Sequence, residues 1–415
     1  MQTPHTPTNS RTHARAARRA RNRKVRAVAG VAAVGFIALV AVVAAFAVLG
    51  VPGSQTPAAN TTGSTPATGA ASVRTIAPTT EPVSLTATSS AEFEPSGPAT
   101  ITVSAVGDMI FDRKVKSLIV AQGGLAPLKH VAALLADADI TVGNLESPLS
   151  SGGTMDADKD VTFRGDPRGI EGLAASGFDF LALANNHVLD YGPEALADTR
   201  AALDGAGIGY AGAGPDRDAA WKPAVREVGG ASVAFLSFSH ILPPGFIATS
   251  TKAGLAPGRT DMTAVADAIR AAKQEHDYVL VSFHWGVEYE DYANGDQVRD
   301  AHTAVDAGAD MVLSHHPHVI QGVEFYNGKL IAYSLGDFVF DHYSRKTGEA
   351  FILDASLGPD GVTDVTVTPV YLDANGAPDV VTGSEATVIL ERLKAISSPH
   401  GTSVVIDGDT ARIVP

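Results

Sequence analysis

The sequence predicts a largely parallel α/β fold, and three observations carry that prediction. Strand-like apolar runs alternate with segments whose apolar residues recur at three- and four-residue spacing, a pattern that builds a parallel sheet covered by helices. Apolar residues make up 45% of the 415 residues and charged residues 18%, enough to bury a sizeable core. Polar residues cluster where the strand-like runs stop, and open α/β sheets bind ligands at the carboxyl ends of their strands.

The chain divides by composition. Residues 1–26 form a polar tail with Arg11, Arg15, Arg18, Arg19, Arg21, Arg23, Lys24 and Arg26, and residues 27–50 contain no charged or polar side chain. A helix of that length spans ~36 Å, enough for the ~30 Å hydrocarbon core. It is read as a retained transmembrane helix, because the apolar stretch of a cleaved signal peptide is usually ~7–15 residues. The basic tail is expected in the cytoplasm, which places the rest of the protein outside as a single-pass membrane protein. Residues 51–97 are rich in Thr, Ser, Pro, Ala and Gly and read as a disordered linker. Residues 98–375 are expected to form the folded domain and residues 376–415 a C-terminal accessory segment.

Within the body, strands are expected at Ile101–Val106, Ile140–Val142, Phe178–Ala182, Val233–Phe238, Tyr278–Phe283 and Met311–Leu313. Helices are expected at Leu128–Leu135, Glu194–Leu203, Met262–Lys273 and Val298–Val305. Pro193 suits a first helical turn, and Gly177 and Gly207 suit helix stops. Asn327-Gly328, between two apolar runs, is a hairpin signal. A second hairpin surrounds residues 358–361, and the tail holds a helix at Ser384–Ile396 and a last hairpin around Gly408.

Charge and cysteine content exclude several functions. Residues 1–80 carry nine Lys or Arg and no Asp or Glu, whereas the other 335 residues carry 22 basic and 45 acidic side chains. So acidic a body argues against nucleic acid as a partner. The absence of cysteine removes disulfides, thiolate metal sites and a cysteine nucleophile. No Walker-type glycine loop is present.

Five strand ends deliver Asp, Glu, Asn and His: Gly107-Asp108, Gly143-Asn144-Leu145-Glu146, Asn185-Asn186-His187, His284-Trp285-Gly286, and Ser314-His315-His316-Pro317-His318. Histidine nitrogens and carboxylate oxygens suit divalent zinc, iron or manganese, one ion or two. On an extended segment residues i and i+2 point the same way, so His316 and His318 are expected to face one site and His315 to face elsewhere. Arg113 and Arg164 are candidate substrate-binding cations.

These motifs resemble the CapA family, the bacterial capsule or poly-γ-glutamate synthesis proteins, which are similar to calcineurin-type metallophosphatases. Val106-Gly107-Asp108, Gly143 to Pro148, Ala184 to Gly192, His284 to Tyr289, and His315 through Phe338 occur in the family's order. The resemblance implies a two-sheet sandwich flanked by helices, with Asp108, Glu146, Asn186, His284, His316 and His318 as metal ligands. It implies that His187 polarises or protonates the leaving group, and Asp190 or a nearby carbonyl is expected to hold that histidine for proton transfer. It also implies an anionic cell-surface polymer or a phosphoester as substrate, and other capsule-synthesis membrane proteins as partners. Two departures stand out. Ile110 occupies the position where metallophosphatases usually place a histidine, and Asp337 replaces an asparagine, which adds a negative charge if it points inward.

Overall fold

A computed structural model describes residues 98–415; the expected tail, apolar span and linker at 1–97 lie outside the described residues. Among the described residues no helix is long and apolar enough to cross a membrane.

Two mixed sheets form the body. The ten-stranded sheet runs Ser403–Asp407, Thr410–Val414, Gly361–Leu372, Glu349–Gly358, Ile101–Met109, Ile140–Leu145, Phe180–Ala182, Gly209–Ala211, with Asp337–Val339 also paired to Ile101–Met109 and Pro378–Val380 to Gly361–Leu372. The six-stranded sheet runs Val323–Tyr326, Lys329–Ala332, Met311–Leu313, Tyr278–His284, Ala231–Ser239, Ala224–Val228. The expectation of parallel strands holds for the succession Ile101–Met109 to Gly209–Ala211 and for the middle of the smaller sheet. Apart from the short parallel strand Asp337–Val339, it fails in the rest of the large sheet and at both edges of the small one, where neighbours are antiparallel and mostly joined as hairpins. The alternation of helices that signals parallel pairing stops in those stretches, so short turns join the strands instead.

Period-two geometry explains how these strands bury both faces. Phe180 and Ala182 belong to the cluster between the sheets, while Leu181 and Leu183 face the helix layer beyond. Phe235 and Leu280 point between the sheets, while Leu236, Val279 and Val281 meet the helices on the other side. Alternate side chains leave a strand in opposite directions, so two buried faces require the near-continuous apolar runs seen in the sequence. Phe180 and Phe235 stack across the interface with ring centroids 5.4 Å apart. Helices Arg113–Gln122 and Gly192–Ala206 cover the large sheet through Val115, Ile119, Leu196 and Leu203. Helices Met262–Glu275 and Gly295–Asp306 cover the small one through Val265, Ile269, Ala301 and Val305.

Local chemistry sets the helix ends. Pro193 lies in the first turn of Gly192–Ala206, and Gly207 closes it at φ +71°, a left-handed conformation that glycine adopts without a Cβ clash. Asn294 and Gln297 form a reciprocal cap on Gly295–Asp306. The expected helix at Leu128–Leu135 shrinks to Ala132–Leu135, preceded by turns in which the Leu128 and Val131 N–H groups donate to carbonyls three residues back. The segment read from sequence as an accessory is built into the body. Ile389, Leu390, Leu393 and Ile396 of helix Gly383–Ser397 join the cluster between the sheets, and Thr410–Val414 pairs with Val365–Val367.

One buried polar cluster ties this segment to the small sheet. Glu324 accepts from Tyr333 Oη at 2.5 Å and lies 3.0 Å from His302 Nε2 and 3.5 Å from His400 Nδ1. Burial works to raise its pKa, but the contacts with His400, Tyr333 and His302 outweigh it and hold the carboxyl down to about 2. A depressed folded-state pKa stabilises the protein above the unfolded value and is lost as pH falls through the folded one. Glu324→Gln is therefore expected to destabilise the protein near neutral pH, with a deficit that shrinks as pH drops from about 4.5 to about 2. Denaturant titrations of both proteins across that range check it.

Candidate metal centre

Strand ends from both sheets converge on one point. Strand Ile101–Met109 carries Asp108; Ile140–Leu145 carries Asn144, with Glu146 next; the turn after Phe180–Ala182 supplies Asn185, Asn186 and His187. From the smaller sheet, Tyr278–His284 ends on His284, and the loop after Met311–Leu313 supplies His315, His316 and His318. The rim expected on one sheet edge is thus assembled from two. Asp337 opens the short strand Asp337–Val339 and stands in register with Asp108. That register depends on two glycines. The Asp108 N–H donates to the Gly336 carbonyl at 2.9 Å, and a Cβ on Gly107 would lie 2.0 Å from the same oxygen.

The donor atoms fall into three overlapping groups: Asp108, Glu146 and His284; Asp108, His318 and Asp337; Glu146, His316 and His318. Within each group the atoms lie within 4.8 Å of one another, and every member is buried. His284 Nε2 is 3.5 Å from Glu146 Oε1 and 2.7 Å from Asn186 Oδ1. His318 Nδ1 is 2.8 Å from Asp337 Oδ1 and 3.8 Å from Asp108 Oδ2. Five of the six expected ligands fall within these groups, and Asn186 adjoins them through His284. Asp337 does point inward and adds a third carboxylate. Asn144, expected at this rim but not among the ligands, is a further member; its amide donates to Asp108 at 2.8 Å and to Glu146 at 3.3 Å, and Asn185 donates to Asn144 at 3.1 Å.

Two expectations about the histidine run need correction. His316 and His318 do converge, with ring centroids 5.9 Å apart, but not on an extended segment: their φ angles are +100° and +57°. Such conformations cost about 1–3 kcal/mol each and persist where the surroundings enforce them. His315 does not face elsewhere. Its Nδ1 lies 3.2 Å from Asp108 Oδ1, poorly aligned for a hydrogen bond.

Electrostatics make the cluster hungry for a cation. Burial, reinforced by Asp108, pushes the Glu146 carboxyl well above the usual range. Burial also pushes His284 and His316 down, which favours the neutral form of both imidazoles, the form that ligates a metal. Burial would lower His318 as well, but Asp337, Glu146 and Asp108 overcome it and push it up. Glu146 Oε1 and His316 Nδ1 are buried without a hydrogen-bond partner. Buried polar atoms are rarely left so, and an ion accounts for an orphaned pair. The donor set fits one or two divalent ions with nitrogen and oxygen ligands.

Beside this cluster lies a second arrangement. His187 Nδ1 is 2.6 Å from Asp190 Oδ2, as expected, and Asp190 also accepts from the Phe163 N–H at 2.7 Å and pairs with Lys159. Burial lowers His187 to about 4 against the pull of Asp190. Lys159, a lone lysine in an irregular loop, gave no sequence signal. A cavity of about 300 Å³ opens over His187, Asn186, His318 and Asp337. Arg113 lines it; Arg164 does not, and instead stacks over Tyr191 at 4.5 Å.

Comparison with known proteins places this geometry. Residues 102–342 match the family described as bacterial capsule synthesis protein PGA_cap. The chain belongs to that family. Among PGA_cap relatives, the PGA biosynthesis protein CapA of Bacillus subtilis (strain 168) is 32% identical over 67% of this chain and 73% of its own length. The capsule biosynthesis protein CapA of Bacillus anthracis is 32% identical over 68% of this chain and 70% of its own. Of solved structures, the 5'-nucleotidase precursor from Thermus thermophilus aligns with a TM-score of 0.41 at 15% identity, over 72% of this chain and 59% of that one. The matched PGA_cap region spans Asp108 to Asp337, and so contains every member of the cluster.

Three substitutions test the centre. Asn144→Ala, which removes an orienting partner of Asp108 and Glu146, is expected to weaken metal affinity ~10–100-fold, and His284→Ala more than that, both read by metal titration and elemental analysis. Gly107→Ala is expected to destabilise the fold by about 1–3 kcal/mol and to lower metal content, because the strand carrying Asp108 must move off Gly336; denaturant midpoints and metal content check it.

Proposed function

We propose that this PGA_cap protein is a membrane-anchored, extracytoplasmic, metal-dependent hydrolase that cleaves a phosphoester or similar bond during assembly of capsule or poly-γ-glutamate. The observation that carries the reading is the adjacency of the buried cluster Asp108, Glu146, His284, His316, His318 and Asp337 to the His187–Asp190 pair on one cavity. The anchoring and the outward orientation rest on the apolar span at 27–50 and the basic tail before it.

A divalent ion held in the buried cluster, manganese, iron or zinc, would supply Lewis-acid chemistry that acidifies water and polarises a phosphoryl oxygen. Asp108, Glu146, His284, His316, His318 and Asp337 would hold it, with Asn186 as a neutral oxygen donor beside them. Asp108, Glu146 and His318 each belong to two of the donor groups, so the same residues would serve one ion or two. His187 is fixed by Asp190 through Nδ1, so the other ring nitrogen is the one free to pass a proton to the departing oxygen. Being neutral at pH 7, it must first take that proton from the water or solvent. Lys159 and the Phe163 N–H occupy the rest of the Asp190 carboxylate and keep it from rotating away. Arg113 offers a cation to the substrate anion at the cavity wall.

The full-length protein is expected to carry manganese, iron or zinc and to hydrolyse members of a phosphomonoester and phosphodiester panel. His187→Ala is expected to lower turnover ~10²–10⁴-fold with metal content unchanged. Metal-loaded protein inactive across the panel would reject hydrolysis. The relatives' names speak of biosynthesis, which favours a second reading: a non-catalytic module that handles the polymer. Wild-type amounts of surface polymer in cells carrying only His187→Ala would support it.

A further inference from the structure

The cavity mouth differs in character from its floor. Tyr343 and Tyr289 both line it, yet remain 71% and 53% exposed. Large aromatic side chains normally spend their faces on packing, and here two leave them open at the entrance to one pocket. Both are held in place. Arg113 Nη1 donates to Tyr343 Oη at 2.6 Å, and its guanidinium rests 4.5 Å from the Phe163 ring centroid. The Tyr289 N–H donates to the Pro317 carbonyl at 2.8 Å, at a φ of +70°. Arg392, on helix Gly383–Ser397, clamps the two loops together: it donates to Asp291, two residues beyond Tyr289, and to Glu349, both at 2.7 Å, and to the Lys346 carbonyl at 3.4 Å. Arg392 lies beyond the matched family region, which ends at residue 342. The rim is thus pre-organised by this chain's own C-terminal segment, and pre-organisation reduces the ordering cost of binding.

Charge narrows the ligand further. The lining sets Arg113 and Lys159 against Asp160, Glu288, Asp337 and Asp341, and Lys159 is already paired with Asp190. A chain bearing a carboxylate on every unit would meet acidic groups as it left the pocket and repulsion from an acidic body beyond. A cavity of about 300 Å³ is at the small end of ligand pockets.

Resting on the proposed metal-dependent reading, we infer that the pocket takes a small phosphoester whose leaving group presents a flat ring or sugar face, stacked on Tyr289 and Tyr343, and not a segment of the polyanionic polymer itself. Tyr289 and Tyr343 are its specificity-determining residues.

The test is binding by calorimetry to the full-length, metal-loaded protein, with inorganic phosphate, phenyl phosphate and a γ-linked glutamate oligomer as probes. Phenyl phosphate is expected to bind about tenfold more tightly than inorganic phosphate, and the oligomer more weakly than either. In Tyr289→Ala/Tyr343→Ala the two phosphates should bind within about threefold of each other, while Tyr289→Phe, which keeps the ring and the backbone bond that holds it, retains the preference. Arg392→Ala, which frees the loops, should erode it with metal content unchanged. Equal affinity for both phosphates in the wild type, or tighter binding of the oligomer, would overturn the inference and leave the metal reading standing. Failure to take up metal or to bind inorganic phosphate would remove the metal reading and this inference with it.

Discussion

Three carboxylates, Asp108, Glu146 and Asp337, are withdrawn from water at one place, and among the described residues the basic side chains that approach them are imidazoles, with no lysine or arginine in contact. Burying like charges together is costly unless a positive charge joins them. Much of the surrounding structure follows from that constraint. The strained backbone at His316 and His318 brings two rings to bear on the acids, and the amides of Asn144 and Asn185 fix the carboxylates from behind. An environment so arranged selects a small cation over a bulky basic side chain, because each donor is already aimed at a shared volume.

The fold provides the aim. Asp108 and Asn144 sit on neighbouring parallel strands, and parallel pairing brings their carboxyl ends to one level. His284 and His315 are bridged across adjacent strand ends of the other sheet. Trp285, wholly buried, stacks on Phe283 and donates to the Tyr333 carbonyl at 2.9 Å, so the backbone that follows His284 is locked into the helix-facing core. Ligands on rigid strands backed by dense packing hold their geometry better than ligands on free loops.

Much of this was legible in the sequence, for reasons that differ by element. Strands buried on both faces write themselves as continuous apolar runs, which is why Tyr278–His284 and Ala231–Ser239 were foreseen within a residue or two. Asp108, Glu146, His284, His316 and His318 announced themselves because acids and imidazoles seldom end apolar strands by chance. What composition could not convey was which sheet each strand joins. Nothing local distinguishes a strand that enters the ten-stranded sheet from one that enters the six-stranded sheet, so a single rim was expected where two meet. Asp337 lay in a three-residue strand too short to read, and its inward turn depends on the Gly107–Gly336 approach, a contact between residues far apart in the chain. The conformations of His316 and His318 were equally hidden, since residue spacing alone assumes a regular backbone. The tail was undervalued because its apolar helix positions, together with its own last hairpin, complete a cluster that also holds strands Val323–Tyr326 and Gly361–Leu372, and nothing local in the tail announces that docking.

The junction of the two sheets has a mechanical implication. Asp108, Glu146 and Asp337 ride on one half of the sandwich, His284, His316 and His318 on the other. Coordination by both halves would work as a rivet through the layers, so occupancy and the sliding of one layer over the other are thermodynamically linked. A chelator would then loosen the whole stack along with emptying a pocket, and a distant mutation that lets the layers shear would register first as a protein that cannot keep its ion.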